Sequence, residues 1–262
     1  MISYNDSDDF QYQWDHEVEN KGAYAIQKFQ SDHKFRGISL YQLGRNRNLQ
    51  LNEIIKSNVE WLAVHPYFSQ PHESSATVSI IEDVGKWSSK DSMFISEINQ
   101  AREKGFSVML KPHLWLSEGW RSDIHFDTEE EWLRWFTAYK NQLLHYALLA
   151  EEAGAELFCI GTELRSSVER LPEQWIQFIL ELKTVYTGRL TYAANWNDPI
   201  LEMDARFWQE LDFIGIQGYY PLSEISNPEL KDIVAGWKKH IVTLEEISRK
   251  YSRPILLSLI HI

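Results

Sequence analysis

The chain has 262 residues, the size of a single α/β barrel of roughly 250 residues. Its formal net charge of −12 would repel a phosphate backbone, and no Lys/Arg-rich run offsets that field, so nucleic acid is excluded as a partner. The one cysteine, Cys159, excludes an internal disulfide and sits in the apolar run Leu157-Phe158-Cys159-Ile160, where it reads as a buried structural thiol.

The start, Met1 to Asp9, has neither a basic nor an apolar leader segment, and no later stretch is apolar enough to span a bilayer. The expected address is cytoplasmic, or secreted if a signal peptide has been removed, with no membrane partner. Residues 1–35 are polar and weakly periodic and read as an N-terminal extension. Residues 36–262 read as the barrel domain.

From Phe35 onward, short apolar runs alternate with amphipathic stretches. Seven runs read as strands: Gly37–Leu40, Val59–Val64, Ser107–Leu110, Leu157–Ile160, Leu190–Ala193, Phe213–Ile216 and Pro254–Leu257. Each is predominantly apolar, as parallel strands buried on both faces require. Between the second and third, Tyr67 to Asp91 reads as a long polar loop holding Phe68, His72 and Trp87; it serves either as a cleft wall or as a surface insertion. The clearest helix runs from Asp127, capped with Glu130, through Trp132, Phe136, Tyr139, Leu143 and Tyr146 to Gly154. A second helix starts at Pro172 and ends at Gly188, and a third takes Asn227 as cap and Pro228 as its first residue.

Alternation of strand and helix predicts a parallel sheet with right-handed crossovers, either an open doubly wound sheet or a barrel. After the first strand the text reads Leu40-Tyr41-Gln42-Leu43-Gly44-Arg45, without the glycine pattern of a dinucleotide-binding turn. Polar and aromatic residues follow most strand ends instead, where a barrel builds its site. The expected fold is therefore a TIM (β/α)8-type barrel. After the seventh strand too few residues remain for an eighth βα unit, so that unit is expected to be missing and the open edges to invite self-association.

Glu163 follows the fourth strand directly and would point into the mouth of such a barrel. Its ordinary alternative is to complement the positive end of a short following helix. His113 and Trp115 follow the third strand, Asn195 and Trp196 the fifth, Tyr219 and Tyr220 the sixth. Aromatic faces stack on the apolar faces of sugar rings, and Lys111, His113 and Asn195 can hydrogen-bond hydroxyls. The alternative for each ring is core filling. His65 and His113 beside Glu163 raise a metal-dependent barrel hydrolase as a rival, but the first strand lacks a His-x-His and no H-E-x-x-H occurs.

Four stretches in order, His145-Tyr146-Ala147, Phe158 to Leu164, Leu190 to Trp196 and Ile214 to Leu222, resemble glycoside hydrolase family 113, the β-1,4-mannanase-like members of a clan of retaining barrel glycosidases. The likeness covers residues 35–258. It implies that Glu163 is the acid/base, that a β-linked hexose polysaccharide or oligosaccharide, most simply mannan, is the substrate, that no cofactor is needed, and that Tyr219 hydrogen-bonds a glutamate nucleophile after the seventh strand. At that position the chain has Leu259, and no Asp or Glu follows Glu246. A nucleophile is thus expected to be absent and turnover impaired. A carbohydrate-binding pseudoenzyme is the alternative that Leu259 favours.

Overall fold

A computed structural model describes residues 34–40, 47–57, 59–79, 85–197 and 205–260. The extension expected over residues 1–35 lies almost wholly outside these. Phe35, at its end, packs its ring 4.3 Å from Trp61 and 5.6 Å from Phe213.

The described elements run β1 (Gly37–Leu40), α1 (Arg47–Lys56), β2 (Trp61–Val64), β3 (Tyr67–Gln70), α2 (Ser89–Glu103), β4 (Ser107–Leu110), β5 (His113–Leu116), a 3-10 turn (Arg121–Asp123), α3 (Glu129–Ala153), β6 (Leu157–Thr162), α4 (Arg165–Arg170), α5 (Pro172–Val185), β7 (Arg189–Asn195), α6 (Ala205–Gln209), β8 (Phe213–Gly218), α7 (Leu230–Tyr251) and β9 (Ile255–Ile260). Seven strands form one parallel sheet in the order β1-β2-β4-β6-β7-β8-β9. Each expected run thus becomes a strand of this sheet, and the last four extend further at their carboxyl ends than their apolar cores alone suggest.

Side-chain alternation divides the sheet's two faces. Leu62, Val64, Val108, Leu110, Phe158, Ile160, Leu190, Tyr192, Ile214 and Ile216 join the cores of α2, α3 and α5 in one cluster. The intervening residues Ala63, Met109, Leu157, Cys159, Ala193, Phe213 and Leu256 form a second cluster, with Phe35 and Trp61 against it. The helices therefore cover one face and the strands fill the space enclosed by the other. The sheet is curled: Lys111, just past β4, reaches Gln217 of β8 at 3.1 Å and Ser258 of β9 at 2.8 Å, although β6 and β7 lie between in the strand order. This is the TIM-barrel arrangement, of which seven strands are described.

Local chemistry accounts for the helix ends. Helix α3 is capped by Thr128 with Glu131, one residue later than the expected Asp127 and Glu130, because Thr128 is the residue that is extended and accepts from the third helical N–H. Glu129, Glu130 and Glu131 then complement the positive end of the helix. At its far end Gly154 takes the left-handed conformation, φ 69°. Its buried stripe of Trp132, Trp135, Phe136, Tyr139, Leu143 and Tyr146 faces the sheet, each such side chain contributing about 1.5–3 kcal/mol on burial. Helix α5 begins at Pro172 as expected and ends at Val185, three residues before Gly188. Helix α7 starts two residues beyond Pro228, because Glu229 and Asp232 close a capping box that Asn227 does not.

The expected loop from Tyr67 to Asp91 is shorter. Tyr67–Gln70 is a strand paired in parallel with β5, Tyr67 opposite His113 and Gln70 opposite Leu116. Asp91 lies inside α2, where it closes a box with Ser88. Phe68 packs on Tyr139, and Trp87 donates to Glu152 at 2.6 Å, so both lean on α3.

Candidate active site

Carried two residues past the enclosed apolar cluster, the same alternation delivers polar side chains to the carboxyl rim. Ala63 leads to His65, Met109 to Lys111, Ala193 to Asn195, Phe213 through Gly215 to Gln217, and Leu256 to Ser258. Two irregularities break the register at this rim. Between β6 and β7, Cys159 pairs with Thr191 but Thr162 with Ala193, so β6 holds one extra residue. Between β8 and β9, Ile216 pairs with Leu257 but Gln217 with Leu259, so Ser258 is the extra residue there. Bulges of this kind re-aim the chain at barrel rims.

The β6 bulge positions Glu163. Gly161 within it is required by sterics, since a Cβ there would lie 2.7 Å from the Tyr192 ring and 3.2 Å from Trp175. Glu163 itself takes φ 55°, the left-handed region that a non-glycine residue occupies at a cost of about 1–3 kcal/mol. Hydrogen bonds hold it there from three directions. Its N–H donates to the carbonyl of Ala193 at 2.9 Å, its own carbonyl accepts from Ser122 at 2.8 Å, and the next N–H, of Leu164, donates to the Tyr192 hydroxyl at 2.7 Å. The side chain is buried, 5% exposed, directly before the short helix α4.

The Glu163 carboxylate lies 3.5 Å from Nε of Arg121. Burial pushes its pKa up, and the charges of Arg121 and Lys111 partly oppose that rise. Arg121 stacks over Trp120 at 4.9 Å, and Asp123 of the same turn accepts from Arg165 at 3.1 Å. The 3-10 turn thus meets the segment carrying Glu163 through all three of its residues. Burial pulls the fully buried Lys111 ammonium down to about 8. His65 is held down at about 4 and His113 at about 2, burial first and then Lys111 being the cause, so both imidazoles are neutral at pH 7. Their rings meet edge to face at 4.9 Å, and Nδ1 of His65 lies 3.3 Å from the Lys111 carbonyl oxygen.

The remaining nominated residues divide into two groups. Trp115 and Tyr219 are exposed, at 60% and 40%, and offer their rings to solvent. Trp196 and Tyr220 instead pack into an aromatic group with Trp237 and His240 of α7: Tyr220 is buried, 4.4 Å from His240 and 5.5 Å from Trp196. Asn195 is half-buried and its side-chain oxygen accepts from the Trp196 N–H at 2.9 Å. The side chain of Leu259 lies outside the described residues; its backbone stands opposite Gln217 in β9. Among the described residues no group of three or more His, Cys, Asp or Glu is disposed to hold a metal, and no helix is long and apolar enough to cross a membrane.

The model of Glycoside Hydrolase Family 113 matches residues 41–260. The chain belongs to that family. The glycoside hydrolase is similar in fold to the GH113 β-mannanase AaManA from Alicyclobacillus acidocaldarius, solved in complex with ManMIm, with 24% identity and a TM-score of 0.70 over 84% of this chain and 69% of that one. A second GH113 β-1,4-mannanase structure gives 25% identity and a TM-score of 0.68, covering 84% and 70%. The endo-1,4-β-D-mannanase of Thermotoga petrophila RKU-1 shares the fold at 13% identity and a TM-score of 0.52, covering 86% and 77%. No curated protein matches.

Sequence reasoning had passed over Arg121, Ser122, Gln217 and Ser258. Gln217 and Ser258 were readable from strand alternation, since each lies an even step beyond an enclosed apolar residue. Arg121 and Ser122 stand in a polar turn with no periodic signal, and only the fold brings them to Glu163.

Proposed function

We propose that this family 113 glycoside hydrolase is built to act on β-linked hexose glycans, most simply β-1,4-mannan, by a retaining mechanism with Glu163 as general acid/base. The observation that carries the reading is Glu163 itself: a buried carboxyl with an upward-shifted pKa, held by a bulge in a left-handed conformation at the barrel rim. A carboxyl with a raised pKa keeps its proton nearer neutrality and can give it to a departing glycosidic oxygen. Retention needs a second carboxylate about 5–5.5 Å away to attack the anomeric carbon. Leu259 stands where the family resemblance puts that group, and its side chain has no lone pair to offer. We therefore read this chain as having little turnover.

Lys111, His113 and Asn195 are read as hydroxyl partners, and Trp115 and Tyr219 as stacking surfaces, with Trp196 and Tyr220 supporting the rim behind them. Proton transfer and covalent attack require no cofactor. Reducing-sugar release from mannohexaose should be near background for this chain and measurable for Leu259→Glu, with products of retained β configuration by NMR. Turnover by this chain that matches a measurable turnover of Leu259→Glu would refute the impairment, and inverted products the mechanism.

Leu259 together with the exposed Trp115 also favours a second reading, a carbohydrate-binding protein without turnover. Calorimetric titration with mannohexaose separates the two: binding that persists in Leu259→Glu without hydrolysis supports the second.

A further inference from the structure

Two cations act on Glu163, Arg121 and Lys111, and among the described residues only Arg121 stands within ion-pair range, its Nε 3.5 Å from Oε2. Both side chains are largely buried, 16% and 7% exposed, so salt and water screen the attraction little. Arg121 does not depend on Glu163 for its place. Its Nη1 donates to the carbonyl oxygen of Leu114 at 3.5 Å, and its guanidinium lies over the Trp120 ring at 4.9 Å. The next two residues fix the turn to the chain around Glu163: Ser122 donates to the Glu163 carbonyl oxygen at 2.8 Å, and Asp123 accepts from Arg165 at 3.1 Å. The contact with the carboxyl is of a different kind. It is longer than the about 2.7–2.9 Å of a charge-assisted hydrogen bond, so Arg121 acts on Glu163 through charge rather than by tying up its oxygens. A cation anchored to a neutral carbonyl and an aromatic ring stays in place whether the carboxyl is charged or not, and such a preorganised charge needs no rearrangement when a proton moves. Burial drives Glu163 toward its neutral form, and Arg121 is the largest influence opposing it, ahead of Lys111. A general acid/base must be able to exist in both forms.

We propose that Arg121 is a positioning residue that acts through Glu163: an anchored cation that lets the buried carboxyl alternate between its acid and its base form. The inference rests on the reading of Glu163 as acid/base and adds to it the residue that governs it. The other groups of the rim that carry or could carry charge near Glu163 are Lys111, the Asp123–Arg165 pair and, around Lys111, His65 and His113. Lys111 is charged below about 8, and both imidazoles are neutral above about 4, so between those values they leave the titration of Glu163 to itself.

The experiment is a pH titration by NMR of the full chain labelled with 13C at the glutamate Cδ, the Glu163 resonance being assigned by its loss in Glu163→Gln. In Arg121→Met its midpoint should rise by about one pH unit or more, the effect of losing one opposite charge at close range. In Arg121→Lys, which restores the charge without the guanidinium fork, most of that rise should be absent. An unchanged midpoint in a folded Arg121→Met overturns the proposal, and so does an equal rise in Arg121→Lys, which a purely structural role would produce. Should Arg121→Met fail to fold, the 15N resonance of Arg121 Nε in the unaltered chain decides: it should move with the Glu163 midpoint and lose that step in Glu163→Gln, and a resonance without the step overturns the proposal. The titration reads no turnover, so its failure is distinct from failure of the acid/base reading, which turnover by Leu259→Glu tests.

Discussion

The hydroxyl of Ser122 donates to the carbonyl oxygen of Glu163 at 2.8 Å, and it ties the turn after β5 to a non-glycine residue whose backbone is left-handed. The bond is buried on both sides, so no water replaces it. Ser122→Ala should lower stability by about 1–3 kcal/mol, the cost of an orphaned buried carbonyl. Urea unfolding of the two chains measures it, and an unchanged midpoint would show that Glu163 is held by other means.

Gly161→Ala should be worse. The added methyl meets the Tyr192 ring at 2.7 Å and Trp175 at 3.2 Å, and both rings are wedged among Phe207, Phe136 and Tyr139. Overpacking of this kind typically costs about 1–3 kcal/mol. Thermal unfolding of Gly161→Ala, Tyr192→Leu and the double variant should show a combined loss smaller than the sum of the two single losses, because the obstructing ring is gone.

Acid should destabilise the fold through two histidines. The folded pKa of His65, about 4, and of His113, about 2, both lie below the ordinary 6.5, so between those values the unfolded chain binds more protons than the folded one. Stability from these groups is complete above pH 6.5 and is lost as pH falls toward 4. Glu163, with its raised pKa, acts in the opposite sense over the carboxylate range. Urea midpoints measured from pH 7 to 4.5 should fall more steeply for this chain than for His65→Gln. Parallel curves would contradict the assignment of a buried neutral imidazole.

Trp115 is 60% exposed, so Trp115→Ala should leave stability within about 0.5 kcal/mol. If its ring is a sugar platform, mannohexaose affinity in the Leu259→Glu background should nonetheless fall several-fold. Calorimetry reads both quantities, and intact affinity would remove Trp115 from the cleft.

The fold was legible because each buried parallel strand announces itself by composition, and because Pro172, Gly154 and the acidic turn before Trp132 punctuate the helices. Strand ends were harder: Thr162, Asn195 and Gly218 are polar or small, yet their backbones remain paired, and composition cannot reveal pairing. Glu163 was visible because a carboxylate directly after an apolar run stands out. Arg121 was hidden because a turn joined to β6 only through space leaves no mark at β6. Tyr220 shows the opposite difficulty, since a ring after a strand end can serve the rim or, as here, pack on a helix.

The reach of Lys111 across to β8 and β9 has a mechanical side. Neighbouring strands are laced by backbone hydrogen bonds, which fix their spacing but leave the bend of the whole sheet adjustable. A side chain spanning strands that are not neighbours acts as a tie rod and sets that bend. Shortening it by Lys111→Ala would let the bowl relax outward, and His65, Glu163, Asn195 and Gln217 would part together, a collective displacement produced by one residue that belongs to none of their strands.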